Sequence, residues 1–504
     1  MSAIIKCKVF SLRKRIYGLY SLHFGAEIMY KTPDYDYQQL SFVSFNATCG
    51  MQLDQDNEWI KNAKRLPWMA WEPLYRELFS SETGNVAKPA RMVIGSLIIQ
   101  LRMGFTDRDL VLQIKENPYY QYFIGLEAFQ HDAPFAPSVL VDWRKRLSLD
   151  FVTRLNDILC EVMPKLVKPN RRFGCSNQGT LITTQICDAT VAPQNIRYPQ
   201  DASLLNEARV KCEQMIDWFC EAYGLAKPRT YRKVAHKEYL AFAKSKRPSK
   251  QRIRNTIKKQ LSYVRRDLRY LDAFMGEQGY APAKKHIDNI ITIHLLYSQQ
   301  KYMYDNNIHK VDQRIVSISQ PYVRPVMRGK ASKPTEFGAK LHLSVDERGF
   351  ARIEYLSFEA YNEGAILQDA LKACKDRNGF YPERVLVDQI YRTRSNRAFC
   401  KGNNIRISGP KLGAPSKDKA KGKEDKKQAT TDNADRIEIE RYFSVAKRRN
   451  GMGLITKKRK DTSLSTIAMS VLVTNIFGSF KSAVIEYEVT ASSTTESRSQ
   501  RRVS

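Results

Sequence analysis

Between residues 181 and 450 the chain runs through an order of elements that few folds accommodate. Residues 181–192, LITTQICDATVA, alternate and are rich in β-branched side chains, the pattern of a strand. EFGAKLHLSVDERGFARIEYLSF, from Glu336 to Phe358, reads as a hairpin turning at Asp-Glu-Arg-Gly. A helix is expected over Ile366 to Lys375, then a short apolar strand in RVLVD and another in NNIRIS at 403–408. Residues 411–430, lysine-rich with Gly, Pro and Ser, are expected to form a mobile loop, and a helix bearing Glu440 follows. Three acids fall at telling places in this order: Asp188 on the first strand, Asp388 closing RVLVD, and Glu440 on the last helix.

The phase of that last helix is informative. Asn433, Arg436, Glu440 and Lys447 are separated by three, four and seven residues, so they share one side of a 3.6-residue helix. A carboxylate is thus flanked by cations aimed the same way. Glu438 is turned away by about 200°, which makes it the acid expected to face solvent. Ile439 and Phe443 are expected to seat the helix on the sheet. Arg448 and Arg449 extend the cationic patch, and Gly451 is expected to end the helix.

Charge narrows the partners. The 504 residues carry a formal net charge of +31, and a surplus of cations gains by releasing counterions from phosphates, so a nucleic acid is the expected partner. A ribosomal protein would be much shorter, and no isolated amphipathic basic anchor suggests a membrane surface. Hydrophobic content of 42% and aromatic content of 11% are those of a globular chain with room for two or three domains. The nine cysteines and seven histidines show no zinc spacing and no pairing pattern, which reads as reduced thiols of a cytoplasmic protein. The best apolar run, Ser463 to Phe480, is interrupted by Ser, Thr and Asn and is expected to be a buried terminal helix rather than a membrane span.

Residues 1–57 are expected to be a partly flexible extension, whose first 28 residues are either flexible or an upstream mis-start before Met29. A helical domain is expected over residues 58–150. Thr106 and Asp109 form a capping-box pattern there, another helix follows Pro118, and a fourth starts at Ser138. Short basic helices with tight connections suit a helix-turn-helix DNA reader, and equally a bundle that serves only as a packing platform. The domain carrying the acids spans 175–480, interrupted at 200–312 by a basic helical insertion. Residues 229–272 hold fifteen lysines and arginines. Ile253, Ile257, Leu261, Val264, Leu268 and Leu271 recur there at helical spacing, with Arg252, Arg254, Lys258, Lys259, Arg265, Arg266 and Arg269 around them. A solvated face is the usual reading of such a run; the scarcity of balancing acid favours one that follows a phosphate backbone, with Arg252, Arg254, Lys258 and Lys259 as DNA contacts. Residues 488–504 read as a disordered tail.

Three carboxylates held on rigid elements suit hard divalent cations, Mg²⁺ or Mn²⁺. Two such ions about 3.5–4 Å apart can activate an oxygen nucleophile and compensate charge on phosphorus and the leaving oxygen. Asp188 would bridge both ions, Asp388 hold one and Glu440 the other. Arg436 and Lys447 would grip neighbouring phosphates, a fork and a point charge respectively. Ordinary intrahelical ion pairing of Arg436 with Glu440 is the plainer alternative.

The element order, an α/β mixed sheet flanked by helices, is the plan of an RNase H-like domain. Asp188 in DATVAPQNIRYPQD, Asp388 in VLVDQIYRTRSN and Glu440 in RIEIERYFSVAKRRNGMGLI resemble the DDE triad of bacterial insertion-sequence transposases of the families numbered four and five. In those families the glutamate lies in Tyr-x2-Arg-x3-Glu-x6-Lys. Arg436, Glu440 and Lys447 keep that spacing, while Asn433 stands at the tyrosine position, as is common in the family-five branch. Around the second acid, Val387, Gln389 and Ile390 depart from Ala-Asp-Lys-Gly-Tyr, and Asp388 and Tyr391 are kept. The resemblance covers most of residues 58–480. It implies an enzyme, associated with the bacterial nucleoid, that binds the inverted repeats of an element, cuts one strand at each end, and joins the 3′-hydroxyls to a target duplex. It also implies a homodimer or larger synaptic complex. Cleavage without strand transfer, or DNA binding without catalysis, are the rival readings.

Overall fold

The computed structural model describes residues 52–79, 86–163, 183–327, 335–409 and 419–478. The expectations for residues 1–28 and 488–504 lie outside them. The chain divides into two compact units: one takes in residues up to Leu97 together with Gln113–Asp132, the other Ile98–Leu112 and everything from Ala133.

All the described elements before residue 163 are helical, as the periodicity requires: α1 (Glu58–Arg65), α2 (Trp68–Arg76), α3 (Ala90–Met103), α4 (Asp107–Glu116), α5 (Pro118–Phe123), α6 (Val139–Arg146) and α7 (Leu149–Val162). In the first unit Trp59 and Trp68 meet Phe123 edge to face, with centroids 5.0 and 5.5 Å away. The buried guanidinium of Arg91 donates to the carbonyls of Tyr122 and Phe123 at 2.8 and 2.9 Å, so its charge is met by main-chain acceptors. At the start of α4 the Asp109 N–H donates to Thr106 Oγ1 at 3.2 Å and the hydroxyl donates back to Asp109 Oδ2 at 2.7 Å, the capping box expected there.

The second unit is built on a mixed sheet. Its strands are β1 (Thr184–Pro193), β2 (Pro325–Met327), β3 (Thr335–Asp346), β4 (Ala351–Ser357), β5 (Arg384–Leu386) and β6 (Arg406–Ile407). They lie in the order β2-β3-β1-β5-β6, with β4 paired to β3. β3 runs antiparallel to β1 and to β4, whereas β5 is parallel to β1 and to β6. This is the RNase H-like arrangement. Gly338 lets β3 close on β1, because a Cβ there would lie 2.0 Å from the Ala192 carbonyl oxygen.

Between β1 and β2 stand α8 (Asp201–Tyr223), α9 (Arg232–Ala243), α10 (Lys250–Asp272) and α11 (Lys284–Asp305). Leu205, Ile216 and Phe219 of α8 bury against Leu261, Val264 and Leu268 of α10 and Ile293 and Leu296 of α11. The insertion therefore has a core of its own. After the hairpin come α12 (Glu363–Asn378), α13 (Arg394–Gly402), α14 (Lys419–Arg449) and α15 (Lys460–Gly478).

Alternation assigns the two faces of the sheet. Ile186, Ala192, Leu341, Leu343 and Leu386 pack with Ile439, Phe443 and Ala446 of α14 and Ile467 and Val471 of α15. Cys187, Val385 and Val387 point the other way, onto Leu367 and Leu371 of α12 and Cys400 of α13. Asn475 on α15 donates to Ala351 O and to Asn156 Oδ1, both at 2.8 Å, and accepts from the Ala351 N–H and the Tyr442 hydroxyl, both at 2.9 Å. A satisfied buried amide thus locks α7, β4, α14 and α15 together. Residues Thr462 to Phe477 of α15 are buried except for the half-buried Leu464, as expected of a terminal core helix. Among the described residues no helix is long and apolar enough to cross a membrane.

One expectation fails. Residues 419–430 begin α14 instead of belonging to a loop. Lys, Ala, Gln and Glu are good helix formers, and a stretch with only Gly422 against it continues the helix that packing fixes downstream. Residues 411–418 are not described.

Candidate active site

Asp188 lies in the middle of β1, on the face that α14 covers, opposite Leu343 of β3. Its neighbours Ile186 and Ala192 are fully buried. Desolvation pushes its pKa up to about 6, opposed by the N–H of Ala189, which donates to it at 2.8 Å, and by Arg436; Glu363 and Asp388 push it further up. An acid in that state is under-compensated by the positive charge Arg436 brings to it, which is the condition that favours a further cation beside it.

Asp388 is brought next to Asp188 by strand register. The parallel pairing of β1 with β5 sets Thr184 opposite Arg384 and Ile186 opposite Leu386, and each acid lies two residues further on its own chain. Adjacent strands are about 4.8 Å apart. β5 itself stops at Leu386, and Asp388 caps a 3₁₀ turn over Gln389–Tyr391, accepting from the Gln389 N–H at 2.6 Å.

Glu440 comes from α14, which seats Ile439 and Phe443 in the sheet core as the periodicity predicts. Arg436, one turn earlier, donates to Glu440 Oε1 at 2.9 Å and to Asp188 Oδ2 at 3.5 Å. The guanidinium expected to hold phosphates therefore bridges the strand acid and the helix acid. Glu438 points elsewhere and pairs with Arg441 at 3.2 Å. Its side chain is nonetheless the less exposed of the two, 26% against 53% for Glu440. The helix phase is as expected, but the solvated acid is Glu440, because its face looks out over the sheet end. Asn433 and Arg448 are exposed on α14, and Lys447 is half-buried. Gly451, at φ +80°, follows the end of α14, and the Met452 N–H closes on the Ala446 carbonyl.

On the insertion, Arg252, Lys258 and Lys259 of α10 are exposed. Arg254 stacks on the Tyr304 ring at 4.2 Å and donates to Asn307, and Lys259 pairs with Glu238 at 2.6 Å. Arg266 is spent inside the fold, on Asp267 at 2.8 Å.

Several residues around the acids escaped the sequence reading. Arg384, at the start of β5, donates to Thr184 Oγ1 at 2.8 Å and pairs with Asp435 at 3.0 Å and Asp432 at 3.5 Å. Arg406 grips Asp432 through two bonds of 2.6 and 2.8 Å. These pairs, in which the acids and Arg384 are buried and Arg406 is exposed, fix the helix carrying Glu440 to the strands leading to Asp188 and Asp388. Glu363, the first residue of α12, pairs with Lys340 at 2.8 Å. Nothing in the spacing of Asp432, Asp435 or Glu363 separates them from ordinary helical acids.

Among the described residues no group of three or more His, Cys, Asp or Glu side chains is gathered tightly enough to hold a metal ion as it stands. Arg436 lies between two of the three acids. The donor set, all carboxylate oxygens with one raised well above the usual carboxylate range, does fit a hard divalent cation.

An RNase H-like sheet whose α14 face gathers acids is the ground plan of polynucleotidyl transferases. Residues 385–477 match the family described as a transposase DDE domain, and residues 48–146 match the one described as a transposase domain (DUF772). The chain carries a DDE transposase domain preceded by a second transposase domain, and with them the polynucleotidyl transferase class of activity. An uncharacterised protein, ORF8 in the nfe locus of Rhizobium meliloti, is 26% identical over 176 residues, 35% of this chain and 79% of that protein. No solved structure matches.

Proposed function

We propose that the chain binds the terminal inverted repeats of an insertion sequence and, at Asp188, Asp388 and Glu440, cleaves the element ends and joins them to target DNA. The observation that carries this reading is Arg436 drawing Asp188 and Glu440 onto one face, beside the strand end that bears Asp388. Asp188, Asp388 and Glu440 would hold two divalent ions, Mg²⁺ or Mn²⁺. When bound, such ions supply an activated oxygen nucleophile and compensate charge on the phosphorus and the leaving oxygen.

The chain's own side chains do the rest. Asp188, protonated easily because it is buried, gives up its carboxyl proton when positive charge arrives beside it. Arg436 has a planar fork that can leave the carboxylates for two phosphate oxygens. Lys447 and Arg448, further along α14, extend the track for the strand on either side of the cut, with Asn433 at its other end. Arg252, Arg254, Lys258 and Lys259 follow the backbone of flanking duplex, and the helical region of residues 58–150 reads the element end. Cleavage and joining are both in-line phosphoryl transfers, so positioning and charge stabilisation supply the rate. Two or more copies would hold the paired ends.

The test is incubation of the purified chain with a labelled element-end duplex and Mn²⁺, scoring nicks and joined products. Asp188→Ala, Asp388→Ala and Glu440→Ala are each expected to abolish both products while end binding persists, and Glu438→Ala to lose less than about tenfold. Equal losses at Glu438 and Glu440 would overturn the site. Nicks without joined products would favour a nuclease on the same plan.

A further inference from the structure

The C-terminal ends of α3 and α14 meet within the second unit. Gly451 leaves no room for a side chain there, since a Cβ would lie 2.6 Å from Leu101 Cδ2. Buried Asn450 donates to Thr474 Oγ1 at 2.9 Å and accepts from Arg102 at 3.3 Å, and the Arg102 guanidinium lies 4.5 Å from the Phe477 ring centroid. Between the two helix ends opens a pocket of about 660 Å³, a volume in the range of ligand sites. Arg102, Lys447, Arg448 and Arg449 line it, and no Asp or Glu does.

The plainer account of these cations is that they balance the negative ends of two helices. Each end carries about half a unit charge. Arg448 and Arg449 alone, exposed and paired with no acid among the described residues, exceed that sum. Asp107, the first acid after α3, is taken by Arg144 through bonds of 2.9 and 2.6 Å. The pocket is thus positive beyond what its own backbone neutralises, which draws a phosphate. Its lip is apolar: Met103 at the end of α3 and Leu454 beyond α14 are 46 and 54% exposed. A lone anion has no use for such carbons, whereas a nucleotide carries a sugar next to its phosphate. Lys447 shares the side of α14 that bears Glu440 and lies seven residues on, about 10 Å. Phosphates of one strand follow each other every 3.4 Å or so of duplex axis, which sets the pocket about three nucleotides from Glu440.

We propose that this pocket holds one nucleotide of the DNA strand that passes over Glu440, with its phosphate among Arg102, Arg448 and Arg449 and its deoxyribose against Met103 and Leu454. The register rests on the catalytic reading above; the affinity of the pocket for DNA does not. Arg102 and Met103 fall in residues 48–146, and Arg449 and Leu454 in residues 385–477, so each of the two transposase domains supplies a wall. The end of α3 therefore grips DNA beside the cut, a task separate from reading the element end.

Binding of a labelled element-end duplex to the full chain, with chelator present so that nothing is cut, reads the pocket. In about 0.15 M salt, which screens exposed charges more than about 8 Å apart, Leu454→Glu and Arg449→Gln are each expected to weaken binding about tenfold. Leu112→Glu, at a similarly exposed leucine of α4 outside the pocket, is expected to change it less than about twofold. Circular dichroism should be unchanged, because all three positions are exposed. Thiol linkage reads the register. Beyond the parent chain treated alike, Leu454→Cys is expected to join a thiol tethered at about the third phosphate from the cut several-fold more than tethers placed further away. A Leu454→Glu variant that binds like the parent, or a Leu112→Glu variant that loses as much, would overturn the pocket. Equal linkage at every tether would overturn the register. Protection of Leu454→Cys by millimolar inorganic phosphate at constant ionic strength would give the pocket to a free anion instead. Cleavage that survives Asp188→Ala would sink the catalytic reading and leave the binding result standing.

Discussion

Asp188 is an acid that the fold makes costly to ionise. Burial pushes its pKa up to about 6, whereas an aspartate in an unfolded chain titrates near 3.9. Between about pH 4 and pH 6 the native state therefore binds more protons than the unfolded one, so stability falls as pH rises through that window, and the whole deficit is present at neutral pH. Two pH units correspond to about 3 kcal/mol, which partial exposure of the site reduces to about 2 kcal/mol. Asp188→Asn removes the ionisation, so without added metal it is expected to melt several degrees higher than the parent at pH 7.5 and no higher at pH 4. Mn²⁺ is expected to raise the melting temperature of the parent and not of Asp188→Asn, since only the parent offers the buried carboxylate. Scanning calorimetry at both pH values decides it, and a variant that melts lower at pH 7.5 would mean the fold already compensates the charge. This residue was legible in sequence because an acid inside an apolar strand has no cheap structural explanation. Glu363 was not, because an acid in the first turn of a helix is what the helix dipole favours anywhere.

At the scale of elements, the site depends on how α14 is fastened to β5. Arg384 is 5% exposed and faces Asp432 and Asp435, 2% and 7% exposed; Arg406 reaches Asp432 from the solvent side, so Arg384 is the cation paired with Asp435. Removing one partner from such a group costs about 3–5 kcal/mol, because the remaining charges stay buried. Arg384→Ala is expected to fall in that range in urea unfolding. It should also lose cleavage more steeply than DNA binding, because the helix carrying Glu440 is no longer held to the strand before Asp388. A loss below 1 kcal/mol would mean that the apolar contacts of Ile439 and Phe443 position α14 unaided. The succession of strands and helices along the chain, the hairpin and the face of α14 were readable from periodicity, since each follows from which side chains alternate or recur, whereas the three-residue β2 is too short to show a pattern. The fastening was not: Asp432 and Asp435 differ from solvated acids only through Arg384 and Arg406, which reach them by tertiary contact. The start of α14 was misread for a related reason. Lysine-rich composition next to Gly and Pro suggests a loop, yet local helix propensity prevails once the far end is packed.

Across the whole molecule the question is where a net charge of +31 acts. The cations are not equally available, because many of them are held in pairs with acids inside the fold. Arg266 serves Asp267, Arg209 serves Glu213 at 2.5 Å, and Arg384 and Arg406 serve the acids of α14. On the insertion the outer side of α10 is the face proposed for DNA, although Lys233, Lys237, Lys244, Lys246 and Arg247 are exposed as well. Even there the four cations are unequal: Lys259 is paired with Glu238, Arg254 is stacked on Tyr304 and Arg252 donates to the Ala241 carbonyl at 2.9 Å, whereas Lys258 is exposed. Each phosphate neutralised contributes about 0.9 to the slope of log K against log salt. Neutralising all four residues is therefore expected to flatten the slope for a non-specific duplex by about 2, where four fully engaged contacts would give about 3.6. Titrations between about 50 and 200 mM salt separate these outcomes. An unchanged slope after neutralising α10 would return those cations to an ordinary solvated surface and move the DNA track to α14.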